Sequence, residues 1–311
     1  MDIKNKYRQG KSSFKKLIIK SPLPKALKMY LFRELRFLDG ISKDQKGLEI
    51  GPSHHPAAPK KCGYSVEIVD WLDQKGLKEH YRNDGINLDA IEPVDYVWHG
   101  ESYYELIQKE NYYDYIIASH MIEHSTDLAG FFNDCSKLLK KEGVLRLAVP
   151  DKRYCFDHYR HTTGLAEVIN NLYTPCPLQS AGNVAEYYMN AVSRKGRISW
   201  NKPVLPIIDF VRKHHNKSYK PVHDTGTVLY NIQKAYENNY IDIHHYVFTP
   251  ASFELLIYDL RVLNITDMKI VHIWNTRRNE FIVTLQKTDE KIEQNFKYRQ
   301  KLLRKRDRQE R

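Results

Sequence analysis

Two short segments of the chain place a glycine and an acid where a ligand containing ribose could be bound. Residues 48–52 read LEIGP and residues 66–70 read VEIVD. In a doubly wound sheet the ligand lies at the carboxyl ends of the parallel strands. A glycine after the first strand lets the backbone approach the ligand, and an acid that ends the second strand reaches ribose hydroxyls. We therefore predict that Gly51 and Asp70 bind a cofactor.

The loop after Gly51 lacks the further glycines of a pyrophosphate-binding motif. It continues with Pro52, Ser53, His54 and His55, a sequence poorly suited to cradling two phosphates. A cofactor with ribose and adenine but without phosphate fits better. The same departure keeps a second hypothesis open, in which the protein retains the fold as a binding module without catalysis.

A second group of candidate side chains follows two later predicted strands. His120, Glu123 and His124 come after one of them, and Asp151 comes after the next. A hydroxyl acceptor benefits from a general base within hydrogen-bond reach. We therefore predict catalytic roles for His124, Asp151 and Glu123. The alternative is that Glu123 and His124 only cap the helix that follows.

Apolar, β-branched segments alternate with helical patterns and predict the elements that position these residues. The segments are 47–50, 65–69, 94–98, 113–118 and 144–149, with a helical pattern over 127–140. This alternation indicates βαβ units and a mostly parallel sheet. Thr249 and Pro250 are a good N-cap and first residue for a helix to about Leu260. Two strands near 267–274 and 279–286, joined by residues 275–279, predict a terminal antiparallel hairpin.

The remaining segments are predicted to lie around this core. Residues 152–245 carry helical patterns near 164–173, 181–194, 204–215 and 225–239, which predict a mainly helical cap on the substrate side, with Asp224 as an N-cap. Residues 1–40 are a basic segment with an amphipathic helix from about Lys25. Residues 288–311 are a charged tail, either a solvated helix or frayed. The domain itself is predicted to span 41–151 and 246–287.

No metal is predicted. Asp151, Asp157 and the histidines of the cap could assemble a site, but those histidines have neither H-x-H nor H-x-x-x-H spacing. The four cysteines form no C-x-x-C pair, so a disulfide framework or structural zinc is not expected.

Charge is concentrated in the tails. Residues 1–40 carry a net charge of +8 and residues 288–311 carry +4, which leaves −1 for the 247 residues between them. A nearly neutral central domain argues against a nucleic-acid partner. The basic tails suit either solubility or peripheral contact with an anionic membrane. No apolar run approaches the roughly 18 residues that span a bilayer, so we expect a cytoplasmic protein, with the inner membrane face as a further hypothesis.

These motifs resemble the class I S-adenosylmethionine-dependent methyltransferases. The resemblance is carried by LEIGP at 48–52, VEIVD at 66–70, YDYIIASHMIEH at 113–124 and GVLRLAVPD at 143–151. It implies an α/β, Rossmann-like fold with a helical insertion after the fifth strand, and S-adenosylmethionine as cofactor. The resemblance also implies cofactor contacts for Glu49, Gly51, Pro52, Asp70, Trp71, His99, Ser119 and His120. Among these, Glu49 would lie near the methionine amino group, Asp70 at the ribose and Trp71 beside the adenine.

A narrower likeness concerns the acceptor. LEIGPSHHP, SHMIEH and AVPDKRYCFDHYR look like segments of methyltransferase-domain proteins encoded with bacterial surface-polysaccharide enzymes. This likeness implies O-methylation of a saccharide or glycolipid precursor, with His124 or Asp151 activating the acceptor. Methylation of RNA or protein is the alternative.

Overall fold

The computed structural model describes residues 33–202 and 219–310. The amphipathic helix predicted from about Lys25 begins outside these residues, and the helix predicted over 204–215 lies outside them altogether. Across the described ranges, no helix combines the length and apolarity that a bilayer crossing requires.

The chain divides into two compact units, Met1–Ser42 and Lys43–Arg311. The described part of the first unit holds one short helix. The second unit holds all the strands and the other helices of the described residues. The helices are α1 (Arg33–Phe37), α2 (Gln74–His80), α3 (Tyr103–Ile107), α4 (Leu128–Leu138), α5 (Leu165–Tyr173), α6 (Ala181–Asn190), α7 (Thr225–Tyr236), α8 (Pro250–Val262) and α9 (Phe296–Glu310).

A seven-stranded sheet forms the centre of the second unit. The strands of the described chain are β1 (Gly47–Ile50), β2 (Val66–Asp70), β3 (Tyr96–Val97), β4 (Tyr113–Ser119), β5 (Leu139–Pro150), β6 (Val192–Arg194), β7 (Tyr219–Pro221), β8 (Met268–Arg277) and β9 (Glu280–Lys287). The sheet order is β3-β2-β1-β4-β5-β9-β8. The first five strands are parallel, and β9 runs antiparallel to both β5 and β8. The predicted α/β class, with a mostly parallel sheet and a terminal hairpin, is confirmed.

The sheet strands form the core because their apolar residues are buried as continuous runs, as expected when helices cover both faces of a parallel sheet. Ile116, Leu147 and Phe132 have no exposed surface. Burial of each such side chain contributes about 1.5–3 kcal/mol. Packing is tight enough at Gly47 that a Cβ atom would lie 2.0 Å from the Tyr115 ring, so only glycine fits there.

Local capping sets where the main helices begin. The Asp127 side chain accepts a hydrogen bond from Gly130 N at 2.8 Å and begins α4. Thr249 and Ser252 form a reciprocal capping box at the start of α8, with Pro250 in its first turn, as predicted. Such a cap stabilises a helix by about 1 kcal/mol.

The segment between β5 and α8 contains α5, α6 and α7 together with the small antiparallel sheet β6-β7. Asp224 caps α7 by accepting a hydrogen bond from Thr227 N at 2.7 Å, which confirms its predicted structural role. The helix predicted over 181–194 ends at Asn190, because residues 192–194 pair with β7 instead.

Two other predicted boundaries are wrong by a few residues. The strand β5 begins at Leu139, so Lys140 belongs to a strand and not to the preceding helix. The hairpin strand β8 continues to Arg277, past its predicted end near residue 274. The turn between β8 and β9 therefore contains only residues 278 and 279. The charged tail forms α9, which packs one face on α8, since Leu302 is only 2% exposed.

Candidate active site

The carboxyl ends of the parallel strands meet at one edge of the sheet. In the register, Ile50 lies beside Val69 on one side and Ala118 on the other. The residues that follow these strands are therefore neighbours, as the sequence predicts. This edge collects the predicted site residues Gly51, Pro52, Asp70, Trp71, Ser119, His120 and Asp151.

Gly51 makes the tight turn that was predicted after β1. Its φ is +65°, and its N donates a hydrogen bond to Val69 O at 2.8 Å. A Cβ atom at this position would lie 3.5 Å from Met121 Cγ, an ordinary contact. Glycine is thus required here by backbone conformation and not by lack of space.

Asp70 ties this turn to the end of β2. Its carboxylate accepts hydrogen bonds from Ser53 N at 2.8 Å and Trp71 N at 2.9 Å, one on each oxygen. Burial raises the pKa of Asp70, while these two bonds act in the opposite direction. Each oxygen has a second lone pair, so the carboxylate can also accept from ribose hydroxyls. The ribose contact itself stays a prediction.

Glu49, predicted to lie near the methionine amino group, binds the backbone of the loop that follows Gly51. Its buried carboxylate accepts hydrogen bonds from Ala57 N at 2.6 Å and Ala58 N at 3.1 Å. Pro52, three residues after Glu49, is also buried, and its carbonyl oxygen accepts a hydrogen bond from His55 N. Glu49 therefore fixes the loop that follows Gly51, and its predicted contact with the methionine amino group is not tested.

Aromatic side chains lie at the ends of β2 and β3. Trp71 is 46% exposed, and His99 N donates to Glu101 Oε2 at 2.9 Å. Trp98 stacks on Tyr103 with ring centroids 5.6 Å apart. Neither ring of this half-buried pair was predicted as a site residue, although Trp98 directly follows β3.

The loop after β4 places His120 between two carboxylates. His120 Nε2 lies 2.8 Å from Glu280 Oε2, and its Nδ1 lies 3.5 Å from Glu123 Oε1. Burial alone would lower the pKa of His120, but the two carboxylates raise it to about 9. This imidazole is therefore protonated at neutral pH. Its backbone φ of +53° lies in the left-handed region, which residues other than glycine adopt uncommonly.

Glu123 is buried among imidazoles. It is 1% exposed, and neither carboxylate oxygen accepts a hydrogen bond from any residue that the structure describes. Burial acts to raise the pKa of Glu123, but the imidazoles of His120, His244 and His124 outweigh it and hold the pKa below its usual range. A buried carboxylate of this kind carries a full charge at neutral pH.

His244 reaches this position from the far end of the insertion. The backbone joins the two segments, since Glu123 O accepts a hydrogen bond from His245 N at 2.6 Å. The His124 and His244 rings meet edge to face with centroids 4.9 Å apart. His244 Nδ1 lies 2.6 Å from Asp157 Oδ2. We refer to Glu123, His124 and His244 as the histidine–glutamate cluster.

The cluster was only partly anticipated. Glu123 and His124 were predicted, and the alternative that they cap the next helix is wrong, because Asp127 caps α4. His244 is one of the cap histidines, and none of these was predicted as a site residue. No local spacing could have found the cluster, because His244 lies 120 residues after His124 in the sequence.

Asp151 is engaged elsewhere. It is fully buried, and it accepts hydrogen bonds from Arg153 Nε at 2.8 Å and from the Thr276 hydroxyl. These partners occupy the carboxylate that a general base would need free. The geometry therefore favours a structural role, and the predicted catalytic role of Asp151 finds no support in its surroundings.

A family model described as a methyltransferase domain matches residues 25–188. Comparison with curated proteins gives no significant match. The solved structures that resemble this chain include a protein from Methanosarcina mazei described as SAM-dependent methyltransferases, with 14% identity over 80% of this chain and 95% of that one and a TM-score of 0.41. A putative S-adenosylmethionine-dependent methyltransferase from Listeria monocytogenes has 10% identity, with 86% and 100% coverage and a TM-score of 0.42. A Rhodobacter sphaeroides protein described as putative Zn-dependent alcohol dehydrogenases has 13% identity, with 82% and 89% coverage and a TM-score of 0.44.

Proposed function

This chain belongs to the methyltransferase-domain family, and we propose that it transfers a methyl group from S-adenosylmethionine to a hydroxyl oxygen of a saccharide or glycolipid precursor. One observation carries the cofactor half of the proposal: the Asp70 carboxylate closes the Gly51 turn through Ser53 N at 2.8 Å. The Gly51 turn and the acid that we propose to bind ribose are therefore neighbours at the carboxyl edge of the sheet, where ligands of doubly wound folds bind.

The Gly51 turn and Asp70 define the proposed cofactor site. The methionine part lies along the Gly51 turn, and the ribose hydroxyls donate to Asp70. Trp71 and His99, which follow β2 and β3, flank the adenine. Ser119 and His120 close the site from the end of β4.

The reaction needs alignment more than acid–base chemistry. The acceptor oxygen forms a bond to the methyl carbon, while the bond from that carbon to sulfur breaks and its electron pair returns to sulfur. The products are the methyl ether and S-adenosylhomocysteine, and the hydroxyl proton passes to solvent water. Holding the three atoms in line supplies much of the rate. The histidine–glutamate cluster is proposed to face the acceptor and to ease loss of its proton.

Aromatic side chains beside the cluster support a ring-shaped acceptor. The Phe156 ring lies 4.6 Å from the His244 ring, and the Tyr187 ring lies 5.5 Å from Phe156. Tyr188 continues the row with its ring centroid 5.1 Å from that of Tyr187. Broad aromatic surfaces next to charged groups suit an acceptor that combines apolar ring faces with hydroxyls.

Labelled cofactor tests the proposal directly. The full chain and an Asp70→Ala variant are incubated with methyl-labelled S-adenosylmethionine and fractionated bacterial extract. Label in free or lipid-linked saccharide, lost in the variant, is the expected result. Label confined to RNA or protein would overturn the acceptor class. No label, together with no calorimetric binding of S-adenosylhomocysteine, would overturn the methyltransferase assignment and favour a non-catalytic module.

The basic tails are proposed to hold the protein against an anionic membrane surface. Flotation with anionic liposomes at low and high salt measures this contact, because screening weakens exposed charge interactions. A variant that lacks residues 1–40 should float less at low salt.

A further inference from the structure

We propose that Glu123, His124 and His244 bind a divalent first-row transition-metal ion at the acceptor side of the site. One ligand atom from each side chain lies within 4.8 Å of the others. Two imidazoles and one carboxylate suit ions such as Mn²⁺, Co²⁺, Fe²⁺ and Zn²⁺. Three protein ligands also leave a coordination position for an exchangeable oxygen. The binding of the ion is inferred from geometry alone, whereas its role toward the acceptor rests on the proposed function.

The Glu123 carboxylate is the first reason. A buried carboxylate is costly unless it is paired and hydrogen-bonded. Within residues 33–202 and 219–310, no donor makes a hydrogen bond to either of its oxygens. The nearest side-chain nitrogens are His120 Nδ1 at 3.5 Å and His244 Nε2 at 4.0 Å from Oε1. His120 makes its close contact through its other nitrogen, which lies 2.8 Å from Glu280 Oε2, so its contact with Glu123 stays longer than a hydrogen bond. A cation between the carboxylate and the imidazoles would supply the missing partner.

A carboxylate behind each imidazole is the second reason. Asp157 Oδ2 is hydrogen-bonded to His244 Nδ1 at 2.6 Å, whereas Asp242 Oδ1 lies 2.7 Å from His124 Nδ1 as an ion pair without hydrogen-bond geometry. Metal-binding histidines commonly donate their second ring nitrogen to a carboxylate, which orients the ring and leaves the other nitrogen as the ligand. Arg160 Nη1 donates to Asp157 at 2.9 Å and holds it in place. An ordinary core ion pair would account for Asp157 and His244, but it would leave Glu123 unexplained.

The position of the cluster gives the ion a role. Met121 lies next to the Gly51 turn, since a Cβ atom on Gly51 would be 3.5 Å from Met121 Cγ, and Glu123 follows Met121 by two residues in the same loop. A metal ion here would lie between the proposed cofactor site and the aromatic side chains of the insertion. A metal ion lowers the pKa of an oxygen bound to it. The bound ion would therefore ionise the acceptor hydroxyl beside the methyl donor.

Manganese titration tests the site without relying on catalysis. The purified full chain is stripped with a chelator, dialysed, and titrated with Mn²⁺ alone, with free Mn²⁺ followed by electron paramagnetic resonance. We expect one ion per chain, and binding at least about 100-fold weaker in Glu123→Gln and in His244→Ala. The positioning variant Asp157→Asn should lose roughly 10-fold. His272→Ala, at an exposed histidine on β8, is the matched control and should bind as the wild type does.

Several outcomes would overturn the site. They are absence of stoichiometric Mn²⁺ or Co²⁺ binding by the wild type, and binding that survives in both ligand variants. Should those variants fail to fold, the Co²⁺ absorption spectrum of the wild type tests the site instead. A spectrum that shows no nitrogen coordination of Co²⁺ would exclude His124 and His244 as ligands.

A parallel titration with S-adenosylhomocysteine separates the two proposals. Binding of the nucleoside without the metal refutes only the metal site. Binding of the metal without the nucleoside refutes only the proposed function, and with it the role assigned to the ion in acceptor activation.

Discussion

Replacing Asp70 by Ala should abolish most of the affinity for S-adenosylhomocysteine. The carboxylate of Asp70 holds Ser53 N and Trp71 N and has one further acceptor position on each oxygen. In the proposed complex those positions receive the ribose hydroxyls. The variant therefore loses the ribose contact and also frees the loop that follows Gly51.

The size of the effect follows from the bonds removed. A hydrogen bond to an ionised carboxylate contributes about 1.5–3 kcal/mol. Loss of one or two such bonds to ribose costs about 1.5–6 kcal/mol, which corresponds to roughly 10-fold to 20,000-fold in dissociation constant. Asp70→Asn should lose less affinity than Asp70→Ala, because its amide oxygen still accepts hydrogen bonds. It should still bind more weakly than the wild type, because its amide nitrogen faces a backbone N–H donor.

Isothermal titration calorimetry measures the affinity, and circular dichroism confirms that each variant is folded. Asp89→Asn, at an exposed acid near β3, serves as the control and should bind as the wild type does. A folded Asp70→Ala protein whose affinity stays within about threefold of wild type would refute the ribose assignment. An equal loss of affinity in Asp89→Asn would show that removal of any negative charge weakens binding, and that the loss in Asp70→Ala does not report a ribose contact.

Three further predictions concern stability in urea unfolding. Gly51→Ala should lose about 1–2 kcal/mol, because a side chain is strained at φ +65°, and a loss below about 0.3 kcal/mol would contradict this. Thr249→Ala should lose about 1 kcal/mol through its cap on α8, and an unchanged urea midpoint would count against the cap. Glu67→Gln should lose stability at pH 7, because Lys109 and Tyr113 outweigh burial and lower the pKa of Glu67. The contribution of Glu67 to stability is fully present above its pKa in the unfolded chain and disappears as pH falls through its lower pKa in the folded protein. A stability difference between variant and wild type that persists below the folded pKa would argue against the ion pair between Glu67 and Lys109.

Structural features that depend on residues close together in sequence, such as strands and turns, were predicted well. The five parallel strands and the terminal hairpin follow from short apolar runs, because a strand buried on both faces needs an unbroken apolar segment. The turn at Gly51 and the position of Asp70 follow equally, since both are defined by the ends of those runs. Boundaries were less certain: β5 begins at Leu139, inside the predicted helix pattern, because pairing with β4 decides where a strand starts.

The sequence by itself thus determined the α/β class, the strand ends and the acids that follow them. Only the tertiary structure decided which acids are free to act. Asp151 and Glu123 each follow a parallel strand. Arg153 and Thr276 donate hydrogen bonds to Asp151, whereas Glu123 lies between His120 and His244 and accepts no hydrogen bond from the described residues. The difference comes from chain segments far away in sequence, and a local pattern carries no information about which distant partner satisfies a buried charge.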